Sequence, residues 1–234
     1  MKYLFNRNPI KQTATNIITS EIEIKREVGL FRASLDDASK YGGNYTRQVI
    51  EFYDRNVKSC RNFQTVDVKV HMLMPGMYPA IPGWHTDHAP RMDNGSPSGK
   101  GTPNLELQEE LTKEGKSTKF HLFCSPATSL TEFLVDPLLI DIPSQIGTKL
   151  YKYLTDQLNP ICEDIDNPIS LASIKKNHLL EFDWWNIHRG IAATRHEWRL
   201  LIRIADSDFV PPFVNKDDFI RTQQQVYVPE SYGW

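Results

Sequence analysis

Two stretches of the chain alternate between apolar and mostly polar residues, and a period of two is the geometry of a β-strand whose two faces meet different surroundings. In VDVKVHMLM, Val66, Val68, Val70, Met72 and Met74 share one face, while Asp67, Lys69, His71 and Leu73 share the other. In EWRLLIRI, Trp198, Leu200, Ile202 and Ile204 share one face, and Arg199, Leu201 and Arg203 the other. Two alternatives follow for the second strand. Either its arginines meet solvent, or its apolar face packs outward against helices and two guanidinium groups enter the interior. In the second case each costs several kcal/mol unless an anion meets it. A dicarboxylate is such an anion, and the planar fork of arginine matches a carboxylate bidentately.

The rest of the chain is organised around these strands. Residues 1 to 43 hold short alternating stretches, such as Ile22 and Ile24 alternating with Glu21 and Glu23, and break at Gly42-Gly43. Residues 44 to 57 read as a helix with Val49, Ile50 and Tyr53 on its apolar side. Residues 74 to 103 hold six of the fifteen prolines and five of the twelve glycines, so the first strand gives way to a long irregular rim. A short helix from Asn104 to Glu114 and a strand at KFHLFC follow. Ile146, Leu150, Leu154 and Leu158 then stand on one stripe of a helix that starts at Ser144 and ends at Asn159-Pro160. LLEFDWWNIH (179 to 188) reads as a strand again. Strands that outnumber helices favour a mainly β fold, an antiparallel core braced by flanking helices.

Composition narrows the function classes. Lys+Arg 27 against Asp+Glu 29 gives a net charge of -2, which leaves a broad cationic surface for nucleic acid unsupported. No apolar run reaches membrane-spanning length and the N-terminus is broken by polar residues, which points to a cytoplasmic protein without a membrane partner. Cys60, Cys124 and Cys162 are odd in number and far apart, so they read as inert buried thiols rather than a disulfide framework or a thiolate metal site.

The chemistry concentrates in the histidines. His85-Thr86-Asp87 places an imidazole and a carboxylate on one side of an extended segment, so both can share a metal. His188, at the end of a strand whose inward positions are Phe182, Trp184 and Asn186, offers the third ligand. Two His and one carboxylate on one face of an octahedral ion leave three positions open, which suits non-heme Fe(II) and O2. Each histidine taken singly is as readily a satisfied core or rim residue. His88, three residues from His85, breaks the shared face and is not expected to be a ligand.

The motifs PGWHTDH and FDWWNIHRGIAATRHEWRLLIRI together resemble the Fe(II)- and 2-oxoglutarate-dependent dioxygenases, among them the taurine and phytanoyl-CoA dioxygenase types. The resemblance spans about Val66 to Asp206 and implies a double-stranded β-helix, a jelly-roll or cupin-like barrel, with His85, Asp87 and His188 as metal ligands. It also implies that Arg199, eleven residues after His188, binds the far carboxylate of the 2-oxoglutarate cosubstrate. The family's small hydroxyl residue after that arginine is replaced here by Leu200 and Leu201, which leaves Arg203, His121 or His71 as second anchors. Halogenating relatives carry a small residue where Asp87 stands, so hydroxylation or a related C–H oxidation is implied. On this reading residues 1-234 are one domain, with 1-65 flanking the core, 66-206 the barrel, 88-118 a lid-like insertion and 207-234 an extension.

Two other classes compete. His85-Thr86-Asp87-His88 resembles the end of the metallo-β-lactamase signature, a metal-dependent hydrolase site, but its first histidine is replaced by Gly83. A cupin-like barrel could also bind a ligand without turnover. The substrate, a small molecule or a peptide, is left open. Tyr78, Trp84, Trp184, Arg91 and the lid are the candidates to edge its pocket.

Overall fold

A computed structural model of the chain describes residues 1–91, 101–144, 146–164, 166 and 169–229. The chain opens with two short strands, β1 (Lys2–Phe5) and β2 (Lys11–Ala14), which join different sheets. The alternating Glu21-Ile22-Glu23-Ile24 forms a one-turn helix, α1 (Glu21–Ile24), and not a strand. Ser20 decides this locally, because its side chain accepts the Glu23 N–H and satisfies a free helical donor. β3 (Gly29–Ala33) and α2 (Leu35–Tyr41) follow, the helix capped by Ser34. α3 (Asn44–Asn56) is capped from a distance, with the Glu27 carboxylate accepting the N–H groups of Tyr45 at 2.6 Å and Thr46 at 3.1 Å. Gly43 makes room for it: φ there is 109°, and a Cβ would come within 2.7 Å of that carboxylate.

Then come β4 (Phe63–Leu73), α4 (Leu105–Lys113), β5 (Lys119–Cys124), β6 (Thr131–Leu134) and β7 (Leu138–Asp141). A 3₁₀ turn at Gly147–Lys149 leads into α5 (Leu150–Glu163), which starts later than Ser144 and continues through Pro160. Proline in the last turn withholds only one N–H, while Leu158 and Cys162 still hold the turn against the core. β8 (Leu171–Ser173), β9 (His178–Asp183), β10 (His188–Gly190), β11 (Glu197–Ser207), α6 (Lys216–Phe219) and β12 (Ile220–Arg221) complete the chain. The run 179 to 188 is thus two strands with a corner between them.

The main sheet is antiparallel in the order β12-β3-β4-β11-β5-β9-β2, and β10-β6-β8 form a smaller antiparallel sheet. β1 pairs with β7 alone. Segments outside 66-206 therefore supply sheet strands: β2, β3 and β12 all belong to the main sheet. Among the described residues no ladder joins the sheets into a closed barrel, and no helix is long and apolar enough to cross a membrane.

Alternation sorts the two faces of the main sheet. Val66, Val68, Leu200, Ile202 and Ile204 face outward and pack with Tyr45, Val49, Ile50 and Tyr53 of α3. Phe120, Leu122, Leu180 and Phe182 face inward, where they meet Phe133 of the small sheet and Leu150, Leu154 and Leu158 of α5. The small sheet covers this inner face: the Phe133 and Phe182 rings lie 5.1 Å apart.

The stretch 88-118, read from sequence as a lid, divides. Residues 93 to 100 of it, with Met92, lie outside the described residues. Beyond them α4 belongs to the core: Leu105 and Leu111 are buried, and Gln108 Nε2 donates to the Trp184 carbonyl at 2.8 Å. Thr112 Oγ1 accepts from the indole N–H groups of Trp184 (3.2 Å) and Trp185 (2.8 Å). The leucine spacing of this segment buries more surface than its proline- and glycine-rich entry suggests.

Leu154 is 0% exposed and Leu139 64% exposed. Leu154→Ala should therefore lower unfolding free energy by about 2–5 kcal/mol. Leu139→Ala should change it by less than about 0.5 kcal/mol, both read by urea denaturation.

Candidate metal centre and cavity

His85 and His188 are held by backbone first. The N–H of each donates to the carbonyl of the other at 2.9 Å, an isolated antiparallel bridge that sets their rings 4.6 Å apart. The corner before His188 fixes its approach. Asp183 Oδ1 accepts the Trp185 N–H at 2.8 Å, Asn186 Oδ1 accepts the Asp183 N–H at 2.8 Å, and Asn6 Oδ1 accepts the Ile187 N–H at 2.8 Å. Trp184, Trp185 and Asn186 are thereby corner residues and not strand positions pointing at the site.

Both rings also have their tautomers set. His85 Nδ1 donates to the Gly83 carbonyl at 2.8 Å and His188 Nδ1 to the Asn186 carbonyl at 3.1 Å, which leaves each Nε2 free to act as a ligand. His188 Nε2 stands 3.5 Å from Asp87 Oδ2. One potential ligand atom from each of His85, Asp87 and His188 lies within 4.8 Å of the other two, a group that could hold a metal ion. Burial above all pushes the His85 pKa down to about 4, so this ring is neutral at pH 7. Burial would raise the Asp87 carboxyl, but Arg203 and then His188 hold it well below the usual carboxylate range.

Arg203 does more for Asp87 than a sequence reading as a secondary anion contact allows. Its guanidinium donates to both Asp87 and Asp67, with Nε at 3.2 Å from Asp67 Oδ2. Its fork is thus engaged by two protein carboxylates. β4 and β11 pair in register so that Arg203 lies opposite Asp67, Leu201 opposite Lys69 and Arg199 opposite His71. The charged faces of the two alternating strands therefore form one inner surface.

Arg199 is 1% exposed, and its Nη2 makes only a long contact, 3.5 Å to Thr131 Oγ1, among the described residues. Its Nε and Nη1 find no hydrogen-bond acceptor among the described residues, although the Cys124 thiol lies beside it. Two orphaned donors on a buried cation are the chemical complement of a carboxylate. Neighbouring His71 donates through Nε2 to the Gln225 carbonyl at 3.1 Å, while its Nδ1 has no partner among the described residues. Burial first, and then Arg199, lower its pKa to about 3. A cavity of about 360 Å³ opens in front of this surface, lined by His85, Asp87 and His188 and by Asp67, Lys69 and Arg203.

Other expected site residues lie elsewhere. His121 points to the outer side of the sheet, with Nε2 3.2 Å from Asp206 Oδ2, whose other oxygen accepts from the Tyr53 hydroxyl at 2.6 Å. It is not an anchor for anything in the cavity. Trp84 is fully buried under the Arg189 guanidinium, and Trp184 stacks on Phe209, so both are packing residues. Tyr78 contributes a backbone bridge to Tyr227, and it is Tyr227 that lines the cavity, together with Arg91. Cys60 is exposed and not buried. Lys69, Asp67, Thr131 and Tyr151 line the cavity without having been singled out from sequence. The first two were legible: they alternate with Val66, Val68 and Val70 as the arginines do with Leu200 and Ile202.

His88 has φ 52°, its ring lies edge-on to Phe120 at 5.0 Å, and its Nδ1 is buried without a partner among the described residues. It lines the cavity but stands outside the three-ligand group. Anaerobic equilibrium dialysis against Fe(II) should leave one ion per chain in the wild type and in His88→Ala. His85→Ala, Asp87→Ala and His188→Ala should lose it. Metal absent from His88→Ala yet retained by His188→Ala would refute this ligand set.

No protein-family model matches the chain, and no curated protein is significantly similar to it. Among solved structures it is similar to AviO1 from Streptomyces viridochromogenes Tue57, with 11% identity and a TM-score of 0.35 over 90% of this chain and 94% of that one. A likeness this distant carries no argument about function.

Proposed function

We propose that the chain is a non-heme Fe(II) oxygenase that couples decarboxylation of 2-oxoglutarate to hydroxylation, or a related C–H oxidation, of a small organic substrate. The observation that carries this reading is a juxtaposition. A His, Asp and His group able to bind one metal faces a cavity walled by the strand that bears Arg199, a buried arginine with two unused donors. The donor set fits Fe(II), because two imidazoles and one carboxylate leave positions for a bidentate oxoacid and for oxygen. The two facing antiparallel sheets, with the ligands between them, support reading the fold as a double-stranded β-helix.

Iron and 2-oxoglutarate, when bound, supply the oxidising chemistry: oxygen is reduced as the oxoacid loses carbon dioxide to become succinate, and one oxygen atom is left for the substrate. The chain's own residues do the positioning. His85 and His188 present Nε2 because the carbonyls of Gly83 and Asn186 hold their Nδ1 protons. Asp87 stays ionised beside Arg203 and needs no proton loss to take a metal. Arg199 would orient the far carboxylate of the oxoacid, while Leu122, Phe182 and Leu201 give the cavity apolar walls that exclude water.

A two-metal hydrolase is disfavoured at Gly83, where even a Cβ would lie 2.5 Å from Thr155 Oγ1 and leave no space for the missing histidine. A cupin-like binder without turnover is separated by experiment: iron- and oxygen-dependent succinate formation from 2-oxoglutarate supports the oxygenase, and its absence across a substrate screen returns the chain to binding alone.

The two arginines should separate in a titration of 2-oxoglutarate into anaerobic, iron-loaded protein. Arg199→Ala should weaken cosubstrate binding by about 2–5 kcal/mol with the metal retained, the range for truncating one member of a buried charge pair. Arg203→Ala should weaken metal binding more than cosubstrate binding, since it leaves Asp67 and Asp87 facing each other without their cation. The reverse order would transfer the cosubstrate role to Arg203.

A further inference from the structure

The inner face of β4 and β11 carries more positive charge than the proposed chemistry uses. Arg203 is engaged by Asp67 and Asp87. Arg199 is matched by the far carboxylate of the oxoacid, and a divalent ion is matched by Asp87 and the oxoacid's near carboxylate. Lys69 has no such match. It lines the cavity, its ladder partner is Leu201, and no carboxylate among the described residues forms an ion pair with it. A desolvated ammonium without a counter-ion is costly, so the cavity remains electrostatically incomplete with iron and oxoacid alone. Lys69 belongs to the cavity lining, where an incoming molecule can reach it.

We propose that Lys69 binds an anionic group of the primary substrate, which makes that substrate a small organic acid, either a carboxylate or a phosphate monoester. This rests on the oxygenase reading above. The remaining lining includes Ala80, Ile81 and Phe182 with the aromatic rings of Tyr151 and Tyr227, which suits an apolar or aromatic body behind the anionic head. A cavity of about 360 Å³ suits a small molecule.

Nickel(II) in place of iron allows binding to be read without turnover. Wild type, Lys69→Gln and Lys69→Arg, each loaded with Ni(II) and 2-oxoglutarate, are titrated by ligand-observed NMR with short aliphatic and aryl carboxylates, the matching phosphate monoesters, and the matching amides and alcohols. One acid series should bind wild type at least about tenfold more tightly than its neutral counterparts, and Lys69→Gln should lose about that factor, as expected for a desolvated charge partner. Lys69→Arg should keep most of the binding, and the 2-oxoglutarate affinity of Lys69→Gln should stay near that of wild type, which also shows that the variant is folded. Whether the carboxylates or the phosphates bind identifies the anion. Equal binding of neutral compounds, or no charge-dependent binder in the panel, overturns the proposal. A loss of 2-oxoglutarate binding in Lys69→Gln as large as in Arg199→Ala also overturns it, by making Lys69 a cosubstrate anchor. Failure of Ni(II)-loaded wild type to bind 2-oxoglutarate is seen before any acid is added, and it removes the oxygenase reading together with this one.

Discussion

Charge carried inward by two neighbouring strands is the constraint on which the rest of this structure depends. β4 and β11 present apolar residues to the helices on one side, so Asp67, Lys69, Arg199 and Arg203 have to enter the space between the sheets. Buried charges persist only where partners compensate them. The antiparallel register supplies part of that compensation by placing Asp67 directly across from Arg203. Arg203 then reaches a second carboxylate, Asp87, which arrives from the irregular segment after β4. An ion pair inside the sheet therefore also fixes a metal-ligand candidate that the sheet does not carry.

The histidines are positioned by a different device. His85 and His188 lie about a hundred residues apart in sequence, and neither sits in a long strand. Reciprocal backbone hydrogen bonds join them, and the side chains of Asn6, Asp183 and Asn186 lock the corner that delivers His188. Asn6 belongs to the N-terminal segment, and Phe5 and Arg7 beside it pack on Trp185. The first residues of the chain thus support the candidate centre through the corner, although they line no part of the cavity.

The outer face shows what a satisfied polar cluster looks like on the same sheet. His121, Asp206 and Tyr53 meet there in a closed set of hydrogen bonds that ties α3 to β5 and β11. The inner face differs: among the described residues two Arg199 donors find no acceptor, and Lys69 forms no ion pair. This contrast between two faces of one sheet separates groups paired within the fold from groups the fold leaves unpaired.

Much of this was legible in the amino-acid order because it depends on local periodicity. The alternation around Val66 and Leu200 determines two strands with charged inner faces, and the stripe of Leu150, Leu154 and Leu158 determines a core helix. The pair His85 and Asp87 is also a local property, since two residues of spacing put both side chains on one side of an extended segment. Tertiary structure alone decided the rest. His121 alternates as a cavity residue could, yet the register of β5 turns it to the helices, and only the pairing of whole strands sets that register. Glu21 to Ile24 is the local exception: it has a strand's period, but the Ser20 cap makes it a helical turn. Arg203 and Lys69 are both cations on the inner face, and sequence does not tell them apart. The cross-strand partner does: Arg203 faces a carboxylate and Lys69 faces a leucine, so only the first has its counter-ion directly across the ladder.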